Sequence, residues 1–218
     1  AWEALSMHVF SNVGDFGKAL DYSSRWIIDE PYNQSAYCAA AVAANVMEDF
    51  EAARHWSKAG LMVARNFEPL LNSLAFSSAC LGELDEAESY LYKIPETEGN
   101  IQSLVADANK GLIAMRRGDA AKGRHFCMHS ISGFRKLQNH ELEASALSYF
   151  AAELVRNGEL EEASTKLRVR IPTNPDAHSN LKSAICSNMK PATLSFKGAL
   201  PLGLFEGCRF LGFASSCG

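Results

Sequence analysis

A chain of 218 residues with 47% apolar and 21% charged side chains can bury a sizeable core, which excludes disorder as its default state. The net charge of −4 is split unevenly, with 15 acids and 6 bases in residues 1–100 and 10 acids and 15 bases in residues 101–218. That leaves no basic face concentrated enough for nucleic acid, and no stretch reaches the roughly 18 uninterrupted apolar residues of a membrane helix.

The start, Ala1-Trp2-Glu3-Ala4-Leu5, has neither an initiator Met nor the layout of a signal peptide, and it reads as an excised piece. Six scattered cysteines (Cys38, Cys80, Cys127, Cys186, Cys208 and Cys217) form no C-x-x-C pair. Neither a zinc knuckle nor a dithiol motif is therefore expected, and reduced thiols in a cytoplasmic protein fit best.

In chain order, one short phrase recurs. A first helical stretch marked by Trp2, Leu5 and Ser6 runs, with one residue more than the later ones, to Gly14-Asp15-Phe16 and Ala19. Tyr37, Ala40, Ala41 and Ala44 mark the next helix face, before Glu48-Asp49-Phe50 and Ala53. Leu71, Leu74, Ala75 and Ser78 precede Gly82-Glu83-Leu84 and Ala87; the phrase then returns at Gly118-Asp119-Ala120 with Gly123 and at Gly158-Glu159-Leu160 with Ala163. Each copy means a helix stopped at Gly, an acid where the next helix dipole favours it, an apolar residue, and a small residue for close helix contact. Ala41, Ala75, Gly111 and Ala151 hold the matching small position on the first helices, where the two helices of a pair cross. The segments 94–100 and 137–140 exceed the period and are expected to lengthen helices or widen turns. After Pro172 a sixth first helix is expected over 175–189, with Lys182 at its small position; residues 190–218 abandon the pattern.

A period near 34 residues, a small residue in the first helix, the Gly-acid-apolar turn and a Pro closing the second helix together resemble tetratricopeptide repeats. The resemblance covers residues 1–189 and implies an all-α, right-handed α-solenoid of about five helix hairpins plus a C-terminal capping helix. Residues 190–218 would form an irregular Gly/Leu/Phe-rich tail, disordered or non-native. In such arrays the first helices line a concave groove, which here would display Asn45, Asn72, Phe76, Asn109, Arg116, Tyr149 and Arg156. An Asn side chain donates to and accepts from a peptide backbone at once, and two arginines at equivalent positions suit a carboxylate or phosphate. The implied partner is a protein or peptide with an anionic feature. The Lys and Asn clamp of family members that hold chaperone tails is absent, its places being taken by Ala4, His8, Ala39, Pro69 and Ser73.

Other chemistry is weak. His125 and His129 stand four apart on a helix, but two imidazoles without a third ligand do not make a metal site. Glu159, Glu161 and Glu162 open a helix, where carboxylates stabilise the dipole, and no nucleophile with a base and no phosphate loop is found. The expectation is a binding scaffold or adaptor, not an enzyme, with no cofactor and no metal. The alternatives are a chaperone for a secreted or assembling client, and a self-associating module, a homodimer pairing acidic and basic halves.

Overall fold

The structure, a computed structural model, describes residues 1–168, and all its regular elements in that range are helical. The expected capping helix over 175–189 and the tail 190–218 lie outside the described residues. The helices are α1 (Trp2–His8), α2 (Phe16–Asp29), α3 (Gln34–Val46), α4 (Phe50–Val63), α5 (Glu68–Cys80), α6 (Leu84–Leu91), α7 (Ile101–Arg116), α8 (Ala120–Lys136), α9 (His140–Arg156) and α10 (Leu160–Arg168). Among them none is long and apolar enough to cross a membrane.

The recurrent phrase builds the same turn each time. Gly14, Gly82, Gly118 and Gly158 take φ of 71°, 89°, 85° and 82°, and Glu48 adopts 60° at the equivalent place despite its Cβ. In four copies the acidic residue then returns its backbone N–H to a carbonyl five residues back: Asp49 to Ala44, Glu83 to Ser78, Asp119 to Ala114 and Glu159 to Leu154, at 2.8–3.0 Å. Asp15, Asp49 and Asp119 go on to cap the following helix, their carboxylates accepting from the backbone N–H of Lys18, Ala52 and Lys122 at 3.0–3.1 Å. Asn33, Asn100 and Asn139 cap α3, α7 and α9 in the same manner.

The extra residue of the first copy is absorbed by a π-helical segment, Val9–Val13, that continues α1; Gly14 closes it by donating to the Val9 carbonyl at 2.9 Å. The longer later copies appear as longer helices, 16 or 17 residues in α7, α8 and α9 against 13 or 14 in α2 to α5. By contrast α6 has only 8 residues and is followed by the connection over 92–100.

Each helix packs on its neighbours in the chain. The odd-numbered helices from α1 to α9 also contact the next odd-numbered helix, whereas the even-numbered ones touch chiefly their chain neighbours. This makes an inner row, α3, α5, α7 and α9, and an outer row. Ala41, Ala75 and Ala151 of the inner row are buried. At Gly111 the two helices approach closely: a Cβ there would lie 3.1 Å from the Gly123 carbonyl oxygen of α8, and one on Gly123 would lie 3.1 Å from the Gly111 oxygen. The core runs as successive clusters, around Val42 and Leu70, then Leu71 and Ile113, then Ile131 and Phe150.

Candidate functional site

The three asparagines expected to face a groove are turned inward, only 6%, 1% and 6% exposed for Asn45, Asn72 and Asn109. Their amides stitch the inner row together. The Asn109 amide of α7 donates to the backbone and side-chain oxygens of Asn72 on α5, both at 3.2 Å. Asn72 in turn donates to the backbone oxygen and Oε1 of Gln102, both at 3.0 Å. Asn45 of α3 donates to Ser73 Oγ at 2.9 Å, and Ser57 donates to the same oxygen at 3.1 Å. Buried amides with internal partners hold helices in register. They are not open to a bound backbone.

Arg116 and Arg156 do share a side of the molecule, and they meet on one carboxylate of the chain itself. Glu153 of α9, 4% exposed, accepts from Arg116 Nη2 at 3.0 Å and lies 3.5 Å from Arg156 Nε. Arg116 also donates to the Ala79 carbonyl at 2.6 Å, so one guanidinium ties α5, α7 and α9. The Arg116 side chain is 14% exposed, that of Arg156 65%. Only the second is open to an outside anion.

Phe76 and Tyr149 come together as well, edge to face at 5.0 Å between ring centroids, and Phe50 adds to Phe76 at 6.1 Å. Tyr149 remains 39% exposed, yet protein walls it closely enough that desolvation, with Cys80 and Glu48 adding, pushes its phenol above the ordinary range. Tyr149, Glu153 and Arg156 are spaced four and three apart, one face of α9.

Glu153, Gln102 and Cys80 were not singled out from the sequence. The signal for Glu153 was there: Asn72 to Asn109, Ala79 to Arg116 and Arg116 to Glu153 are all 37 residues apart, one hairpin period plus one helix turn. Burial pushes the Cys80 thiol up to about 11, partly offset by Arg116, and the Cys127 thiol up to about 12. Thiols held this high are protonated at neutral pH and make poor nucleophiles. Among the described residues no group of three His, Cys, Asp or Glu is placed to hold a metal. Of the histidine pair, His129 hydrogen-bonds Asp107 through Nδ1 at 2.9 Å, while His125 lies against Phe126.

Neither a protein-family model nor a curated protein sequence matches the chain. The class that geometry alone defines is an all-helical protein of sequentially packed hairpins.

Proposed function

We propose that the helix rows form a tetratricopeptide-like right-handed solenoid, a protein-binding scaffold or adaptor whose concave face receives an extended polypeptide along α9. One observation carries this reading: on an inner row whose asparagines are buried, Tyr149 and Arg156 stay exposed on a single face of α9, beside the Phe76 ring. An aromatic platform next to an available guanidinium suits an apolar side chain followed by a carboxylate. Asn45, Asn72, Asn109 and Arg116 hold that surface in shape. A reduced, cytoplasmic setting accompanies the reading, since Cys38, Cys80 and Cys127 are thiols outside any disulfide.

Selection from a displayed random-peptide library is the direct test. Enriched sequences are expected to pair an apolar residue with an acid, and Arg156→Ala, which removes an exposed guanidinium, is expected to weaken the selected peptide by about 0.5 to 1 kcal/mol. Undiminished binding by a folded Tyr149→Ala, Arg156→Ala double variant would remove α9 as the contact.

A further inference from the structure

The shortness of α6 has a consequence on the outer side of the molecule. Where α2 and α4 continue for 14 residues, α6 stops after 8 and the chain leaves through Tyr92 into the connection over 92–100. The turns of helix that would have lain along the α7–α8 hairpin are missing, and a cleft of about 230 Å³ takes their place. Its apolar walls are Leu91, Ile113, Ala114 and Phe126. Leu91, Ile113 and Ala114 belong to the core and keep only 2%, 3% and 6% of their surface exposed, at the cleft wall. Tyr92 stands at the cleft, 81% exposed. The cleft shares no residue with the α9 face.

Its charges are unequally satisfied. Lys110 is held by Glu96 at 2.7 Å and Asp107 at 3.1 Å, and Arg117 by Glu88 at 2.7 Å and by Asp85. The Asp119 carboxylate is engaged as the cap of α8. Lys122, exposed beside the cleft, is the lining cation whose ammonium has no carboxylate partner among the described residues. The volume falls below the roughly 300 to 1,000 Å³ of small-molecule sites and matches a single large side chain. Clefts of this kind at interfaces take an aromatic anchor, with the surrounding polar residues deciding orientation.

We infer that this cleft is a second docking site, which receives one aromatic side chain of a protein partner flanked by an acidic residue that pairs with Lys122. The test is a methyl-resolved NMR titration of the full chain with acetyl-Asp-Trp-Asp-amide, with acetyl-Asp-Ala-Asp-amide and acetyl-Lys-Trp-Lys-amide as controls. Saturable shifts of the Ile113 and Ala114 methyls are expected with the first peptide and none with the alanine peptide. The lysine peptide should bind roughly three-fold more weakly, the size of one exposed ion pair, and Lys122→Glu should reverse that order. Absence of saturable shifts with the first peptide, or equal shifts from the alanine control, would overturn the site. Equal binding of both tryptophan peptides, unchanged in Lys122→Glu, would overturn the acidic flank.

Discussion

Asn72 shows how much of this protein's polar chemistry is internal. Its amide donates twice to Gln102 and its oxygens accept from Asn109, all in a setting 1% exposed. Removing it strands two buried partners on α7, so Asn72→Ala is expected to cost about 2 to 3 kcal/mol in urea denaturation. A cost within a few tenths would mean the amide faces solvent after all. The cysteines give a second check at this scale. Folding holds Cys80 and Cys127 at about 11 and about 12 against an ordinary 9.0, so the unfolded chain loses these protons first as pH rises. Their contribution is whole below about pH 9 and is lost as pH climbs toward the folded values. The denaturation midpoint is therefore expected to fall between about pH 9 and about pH 11, and to fall less in a Cys80→Ala, Cys127→Ala variant.

At the scale of the element, the turn and crossing chemistry was legible in the sequence because it is local. Gly, an acid, an apolar and a small residue each answer a need met within a few positions: a left-handed φ, a capped N-terminus, a packed face, a close approach. Gly14, Asp49 and Ala53 play those parts in the structure. The extra residue before Gly14 was visible too, though not its outcome as π-helix, since whether an insertion bulges or is looped out depends on packing by α2 and α3. The crossing of α7 and α8 is the sharpest test of register. Gly111→Ala places a Cβ 3.1 Å from the Gly123 carbonyl and closer still to the Cys127 sulfur, and is expected to cost about 1 to 3 kcal/mol. Unchanged melting in circular dichroism would show that the two helices stand further apart.

Across the whole molecule, the candidate site was the less legible part. The residues named from the repeat register lie on α3, α5, α7 and α9, but register says which way a helix face points, not how tightly the next helix covers it. Asn45, Asn72, Asn109 and Arg116 are reached by partners 28 to 37 residues away, and those pairings depend on how close successive odd helices pack. Glu153, as a buried carboxylate, converts what looked like two available arginines into one. What remains open is the α9 face, and the proposal of a polypeptide-binding scaffold rests there. Hydrogen–deuterium exchange of the full chain, with and without a library-selected peptide, tests it most directly. The account predicts that bound peptide slows exchange in α9 and in α5 around Phe76, leaving α2 and α4 unchanged. Protection confined to the outer helices α2, α4 and α8, with α5 and α9 unaffected, would contradict it.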